Sequence, residues 1–335
     1  MQGHEILFTG KGRAEYLPYD IPSLKPNEVL IENDYTVVSA GTERANLLDM
    51  PNTPKTWPRL LGYSGCGHII AVGEEVTEYH VGDMVLSDHL GHRSHVVASF
   101  KANKDGFFPV YDKVDPLDAA FAVIGSMGVQ GARKTKLQIG ETGMVTGLGI
   151  LGLFAVQTLA LSGGLPVIAV DFDEHRRNVA LELGADVALS PADENFADKV
   201  RELTHGRMIN CNVEVTGSSK AMLQALQVAA PEGRIALTGC TRISDTPIDF
   251  YSLVHKPGVQ LIGAHNFVRP KMDSREGYWT RHDDFSMILG MMSRGKMTAK
   301  PIISEVVSPT RAEEIYTRLA ENPTAPLGIV FDWHK

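Results

Sequence analysis

Residues 143–171, GMVTGLGILGLFAVQTLALSGGLPVIAVD, constrain the fold of this chain more than any other stretch. An apolar run through Met144 and Thr146 enters Gly147, Gly149 and Gly152, spaced GxGxxG. A helix-length apolar run follows, then the breakers Gly163, Gly164 and Pro166, a second short apolar run and Asp171. The order is strand, glycine turn, helix, strand, acid. The first glycine allows a tight turn, the second lets backbone approach a pyrophosphate, and the third lets helix pack on strand. Phosphates would sit on the N–H groups of Ile150, Leu151 and Gly152 at the helix start. Asp171, about twenty residues on, is placed to accept both hydroxyls of an adenosine ribose. The stretch predicts a dinucleotide cofactor, and NAD over NADP, since a 2'-phosphate would put negative charge beside the carboxylate.

Residues 142–170 carry no charge and are long enough to cross a bilayer. The clustered glycines and Pro166 would break a membrane helix in two places, and no basic flank orients one. A buried parallel strand with its crossover helix is this apolar for its own reasons, so no membrane partner is predicted. With 335 residues, 43% hydrophobic and 21% charged, the chain has globular composition and length for two domains. Its net charge of −8 argues against a nucleic-acid surface. Cys66, Cys211 and Cys240 are few and far apart, which fits a reducing compartment. The N-terminus has no apolar signal core, and a cytoplasmic location is the expectation.

The first third reads as β-structure: 28–33, 36–39, 68–72 and 83–86 are short β-prone runs between Gly, Pro, Asn and Asp. From about residue 118 helices and strands alternate. The predicted helices start at Pro116 and Leu151 and span 174–183 and 220–229. The predicted strands lie at Met144, Val167, 187–189, 213–215 and 234–237, the last entered through a turn at 231–233. Such alternation implies an α/β doubly wound parallel sheet. After Ala264 the pattern loosens, resumes as a helix near Asp283, and ends in a strand, a helix and a strand closing at Phe331.

SAGTE at 39–43, GYSGCG at 62–67, AVG at 71–73, VGDMV at 81–85, GLGILG at 147–152, ELGAD at 182–186 and VEVTG at 213–217 occur in that order. Together they make the chain resemble the medium-chain dehydrogenase/reductases, the zinc-type alcohol dehydrogenase superfamily, over nearly its full length. The resemblance implies a Rossmann domain inserted in a GroES-like β-barrel domain that carries the catalytic groups. The implied boundaries are 1–117, 118–264 and a return at 265–335.

The departures from that family carry as much information. Where zinc-dependent members have a cysteine followed by glycine, a hydroxyl residue and an acid, this chain has Ala40, Gly41, Thr42 and Glu43. Where they have Gly-His-Glu, it has Gly62, Tyr63 and Ser64. Catalytic zinc needs three protein ligands and an open position, and the stretch between Asp118 and Glu141 offers no acid, cysteine or histidine as a third. His89, His92 and His95 lie close together, but an odd spacing on a strand sends neighbours to opposite faces, and loop or surface histidines are the expectation. No metal is predicted.

Without zinc, a side-chain donor must neutralise the oxygen that hydride transfer leaves charged. Thr42 matches the hydroxyl residue that bonds the substrate oxygen in zinc-type relatives. Tyr63 replaces a ligand, and is either the acid/base with Thr42 in its relay or a ring filling the empty metal space. Glu43 either orients the site or pairs with a nearby arginine. By the resemblance Val215, Thr216, Thr238, Gly239 and His265 line the nicotinamide. Arg176 lies either near the adenosine or on a surface helix. The segment 265–284, HNFVRPKMDSREGYWTRHDD, is a specificity element suited to polyhydroxylated or anionic substrates, or else a solvated connection.

The leading reading is a zinc-independent, NAD-dependent oxidoreductase interconverting a secondary alcohol and a ketone on a small polar substrate such as a sugar, cyclitol, polyol or sugar acid. Alternatives are an NAD(P)H-dependent enone or quinone reductase, and an enzyme whose tightly bound NAD is recycled within one turnover. A homodimer through the Rossmann domains is expected from the resemblance and from an apolar strand near 259–263 at the sheet's edge.

Overall fold

The computed structural model describes residues 1–99, 106–111, 113–322 and 326–335. Two compact units are present, Gly125–Asp284 and, built from both ends of the chain, Met1–Ile124 with Phe285–Lys335.

The unit Gly125–Asp284 contains a six-stranded sheet. Its spatial order is Val187–Leu189, Val167–Val170, Gly143–Thr146, Ile209–Glu214, Ala229–Leu237, Gln260–Gly263, and every neighbouring pair is parallel. In chain order this is 3-2-1-4-5-6, the doubly wound arrangement whose switch point lies between Gly143–Thr146 and Ile209–Glu214. Both strands are buried along their inner length, and all four residues of Val167–Val170 are buried, which is why the sequence there is continuously apolar. The helix Ile150–Leu161 between the first two strands buries most of its residues too, so residues 142–170 split into strand, helix and strand. Among the described residues no helix is long and apolar enough to cross a membrane.

In the other unit the main sheet runs Ile303–Val307, Gly328–Asp332, Glu28–Val37, Ser64–Val72, Met84–Asp88, Phe107–Pro109, with His95–Ser99 also pairing to Glu28–Val37. Val330 pairs with Val37, joining the two ends of the chain. A smaller sheet orders Arg13–Asp20, Gln2–Gly10 and Arg59–Leu60. Val29, Ile31, Ile69, Val85 and Val96 form one core cluster. Ile6, Phe8, Leu47, Ile315, Tyr316 and Phe331 form another.

Several elements differ from the sequence pattern. Run 28–33 and the first half of run 36–39 are one strand, Glu28–Val37, whose register against Ser64–Val72 is irregular at two points. The turn predicted at 231–233 is a bulge inside Ala229–Leu237, where Glu232 takes φ 60° and donates its N–H to the Pro257 carbonyl. The hairpin Gln2–Gly10 with Arg13–Asp20 lacks a signal because its second strand is an edge strand, mostly exposed and interrupted by Pro18. Ala40–Leu47, around Thr42 and Glu43, is a helix the pattern did not announce.

The segment 265–284 belongs to the unit Gly125–Asp284 and not to the returning C-terminal part. Its polar groups explain the placement. Asp284 is buried and takes hydrogen bonds from Arg133 at 3.0 Å and Arg269 at 2.6 Å. Gln130 Nε2 donates to the carbonyls of His265 and Val268, both at 3.1 Å. Trp279 lies 3.6 Å under the Arg133 guanidinium. These bonds tie the segment to the helix Ala122–Lys134.

Candidate active site

In a parallel sheet all carboxyl ends lie along one edge, and here the loops after four strands converge there. Gly147, at φ 94°, closes the turn after Gly143–Thr146 and donates its N–H to the Val170 carbonyl at 2.8 Å. A Cβ on Gly152 would stand 1.9 Å from the Gly147 carbonyl oxygen, so the helix approaches as closely as it does only with glycine there. A Cβ on Gly149 would meet nothing within 4 Å. Gly149 is the N-cap of Ile150–Leu161, and no side chain caps that helix. Open space over an uncapped helix N-terminus is what a pyrophosphate requires, and the residues fit a dinucleotide.

Asp171 is held beside this turn. Its two carboxylate oxygens accept N–H bonds from Leu148 at 2.8 Å and Asp173 at 2.9 Å. Asp173 in turn caps the helix Glu174–Glu182 through the Arg176 N–H, which places Arg176 in that helix's first turn.

One residue outside the predicted set, Glu214, organises three within it. Buried Glu214 accepts the N–H of Thr216 at 2.7 Å, the Thr216 hydroxyl, and the Gly217 N–H at 3.2 Å. Its own carbonyl accepts the N–H groups of Thr238 and Gly239 at 2.8 and 2.9 Å. Burial raises its pKa, while the Thr216 and Gly217 donors oppose that rise. A Cβ on Gly239 would lie 2.3 Å from the Gly217 nitrogen. The loop of Val215 and Thr216 is therefore packed against the loop of Thr238 and Gly239. His265, after the last strand, is exposed, with its ring 5.5 Å from that of Phe267. In the segment 265–284, Arg269 is spent internally on Asp284 and the Ser126 carbonyl.

The predicted catalytic residues belong to the unit with both chain ends. Thr42 and Glu43 lie on Ala40–Leu47, and Tyr63 directly precedes Ser64–Val72. The Tyr63 hydroxyl is 2.5 Å from the hydroxyl of Ser39. Burial pushes its pKa up to about 12; the Glu43 charge adds to the rise and the Ser39 and Thr42 hydroxyls oppose it. At neutral pH it is a proton donor. The ring of His89 stacks on the Tyr63 ring at 5.3 Å, and His89 Nδ1 donates to buried Asp88. Gly62 precedes Tyr63 at φ 101°, where a Cβ would stand 2.6 Å from the His92 nitrogen.

Glu43 is fully buried and does not pair with an arginine. Its Oε1 accepts the Ser39 N–H at 2.9 Å, its Oε2 accepts the Tyr316 hydroxyl at 2.6 Å, and His92 Nε2 lies 3.2 Å from Oε2. The Thr36 hydroxyl, which accepts from Trp333 Nε1, is 2.8 Å from His92 Nδ1. Donors and acceptors balance when Thr36 donates to Nδ1 and Nε2–H donates to Glu43. Burial and the Glu43 charge hold the Tyr316 pKa well above its usual value, which keeps it a donor. Of the three histidines, His89 and His92 lie outside the strands as expected, His92 is buried at 1% exposure, and His95 lies on a strand. The sequence pattern missed Ser39, His92 and Tyr316 as members of this cluster; only the SAGTE motif hinted at the first.

Ala40 offers no ligand atom, and the oxygens of Tyr63 and Glu43 are engaged with neighbours. Among the described residues no group of three or more His, Cys, Asp or Glu is arranged to hold a metal. This donor set does not fit a catalytic zinc.

A doubly wound sheet with a glycine turn, an uncapped helix N-terminus and an acid after the second strand defines a dinucleotide-binding α/β protein. Residues 25–128 match the family description "Alcohol dehydrogenase GroES-like domain", and residues 151–274 match "Zinc-binding dehydrogenase". The L-threonine 3-dehydrogenase of Pyrococcus furiosus is 26% identical over 325 residues, covering 87% of each chain. The fold is shared with an Escherichia coli oxidoreductase/dehydrogenase of unknown specificity involved in membrane biogenesis, at TM-score 0.85 and 18% identity over 99% of both chains. It is shared as well with galactitol-1-phosphate dehydrogenase from Escherichia coli, at TM-score 0.83 and 18% identity over 98% of this chain and 99% of that one. The chain belongs to the zinc-type medium-chain dehydrogenase/reductase superfamily, with a GroES-like domain and a Rossmann-type sheet.

Proposed function

We propose that this oxidoreductase of CH–OH groups interconverts a secondary alcohol and a ketone on a small polar substrate with NAD and without zinc. The observation that carries the reading is the Tyr63 hydroxyl, 2.5 Å from that of Ser39, at the sequence position where zinc-dependent relatives supply a metal ligand. Relatives named for threonine and galactitol-1-phosphate support a polar substrate bearing a secondary alcohol.

A nicotinamide dinucleotide would be held by the N–H groups after Gly149, by Asp171 at the ribose, and by the loops at 215–216 and 238–239, with His265 beyond. When bound, it takes or gives the hydride at the substrate carbon. Tyr63 gives the proton that neutralises the oxygen in ketone reduction, and as tyrosinate takes it back in alcohol oxidation. The hydroxyls of Ser39 and Thr42 stabilise that tyrosinate, since hydrogen bonds to an ion are stronger than those between neutral groups. Glu43 touches neither substrate nor proton and acts as the anchor of the helix carrying Thr42. Asp171 favours NAD because its carboxylate repels a 2'-phosphate.

A substrate screen reading NADH absorbance over polyols, aldoses, sugar acids, amino-acid alcohols and enones, with NADPH in parallel, tests the reading. Full activity in chelator, with no stoichiometric zinc by elemental analysis, is the expected result; about one zinc per chain with loss of turnover on its removal overturns it. A dimer built on Gln260–Gly263, the last strand in the sheet order, is part of the proposal. Light scattering that gives the monomer mass at all concentrations removes it.

A further inference from the structure

We propose that Ser39 is the positioning residue of the site: its hydroxyl donates to the Tyr63 oxygen, fixes the direction of the Tyr63 proton and stabilises the tyrosinate. The proposal rests on the reading of Tyr63 as proton donor. Ser39 stands at the N-cap of Ala40–Leu47, where a serine hydroxyl normally accepts a backbone N–H from the first turn. It makes no such bond. The hydroxyl instead lies 2.5 Å from Tyr63 Oη, in a residue only 6% exposed. A helix cap worth about 1 kcal/mol is forgone, and a bond to one specific phenol stands in its place.

The backbone of Ser39 is fixed as firmly as its side chain is directed. Glu43 Oε1 accepts the Ser39 N–H and the Glu43 N–H returns to the Ser39 carbonyl at 2.8 Å, so the helix start is clamped at both of its groups. Glu43 is itself fixed by His92 and Tyr316. The Tyr63 ring is located independently. His89 stacks on it, donates its own N–H to the Tyr63 carbonyl at 3.2 Å, and is tied to Asp88 while holding φ 59°, a left-handed conformation uncommon for a residue other than glycine. Ring and hydroxyl partner are thus set by two separate parts of the chain. With the Ser39 O–H directed at Tyr63 Oη, the Tyr63 proton is left for another acceptor, the Thr42 hydroxyl or a substrate carbonyl. The charged or titratable groups facing Tyr63 are Glu43, which disfavours the tyrosinate, and His89 with its Asp88.

The test places a fluorinated tyrosine at position 63, whose lower intrinsic pKa brings its ionisation into a range the folded protein tolerates, and follows it by fluorine NMR without cofactor. Ser39→Ala should raise the midpoint by about one unit or more, through loss of a charge-assisted hydrogen bond, and Ser39→Thr should restore it. In the natural-tyrosine protein Ser39→Ala should lower kcat about tenfold or more with KM for NAD unchanged, and Thr should rescue. Circular dichroism confirms that both variants fold; if the alanine variant does not, Ser39→Cys, of similar size with a weaker donor, takes its place with the same expected directions. An unshifted midpoint, or undiminished kcat, overturns the proposal. If Tyr63→Phe keeps full activity, the proton-donor reading fails, while the midpoint still reports whether Ser39 donates to Tyr63.

Discussion

The glycine turn at 147–152 and the side-chain cluster around Tyr63 and Glu43 are built on opposite principles. In the turn, the interactions that matter are backbone to backbone: Gly147 at φ 94°, Gly152 against the Gly147 carbonyl, an N-terminus with no side-chain cap. In the cluster, Ser39 and His89 meet Tyr63 while His92 and Tyr316 meet Glu43, Glu43 and Tyr316 being bonded across 273 positions of sequence. The contrast teaches that the glycine turn is a property of chain geometry, closed to an added atom at Gly147 and Gly152, whereas the cluster around Tyr63 is a property of which hydroxyls meet. The first should fail sterically when altered, the second chemically.

The largest expected effect is at Gly152. Gly152→Val places a branched side chain where even a Cβ lies 1.9 Å from a backbone oxygen; a loss of about 3 kcal/mol in denaturant titration is expected, with NAD binding abolished. A well-folded variant that binds NAD would erase the distinction.

Tyr63→Phe is the chemical counterpart. It keeps ring and packing, so stability and NAD affinity should hold while turnover falls about 100-fold or more. Near-normal turnover would make the ring a plug, and Thr42→Val would then be the next donor to examine. Proton dependence sharpens the same point. With Tyr63 at about 12, alcohol oxidation, which needs the tyrosinate, should rise roughly tenfold per pH unit through the alkaline range without a plateau while the protein stays folded. A plateau near neutrality would assign the base to another group, His89 first.

Asp171→Ala lies between the two principles, because its carboxylate holds the Leu148 N–H and is the group proposed for the ribose. Titration should show NAD affinity falling about tenfold or more while NADP loses less; an unchanged ratio would show that another group chooses the nucleotide.

Smallest in energy is Gly149→Ala. At φ −74° with open space around the new methyl group, the cofactor-free protein should be stabilised by about 0.5 kcal/mol, read by thermal melting, while dinucleotide affinity weakens. Destabilisation would mean that the second glycine serves packing, as the third does.

From the amino-acid sequence alone, the doubly wound sheet, its glycine turn and Asp171 were legible, because steric demands on consecutive backbone atoms admit few residue types and so leave a local pattern. The ordered motifs likewise marked the family. Tertiary structure alone decided the partners. Glu43 could have met an arginine, and meets His92 and Tyr316; His92 could have lain at the surface, and is buried; the polar segment 265–284 is exposed over 271–276, yet spends Arg269 and Asp284 on each other. The physical reason is that a buried polar group must find a hydrogen-bond partner, but any of several residue types will satisfy it from any distance along the chain. Which one does so is settled by how the strands and helices pack, and Ser39, whose hydroxyl turns from its own helix to Tyr63, shows that even a residue with a strong local preference yields to that packing.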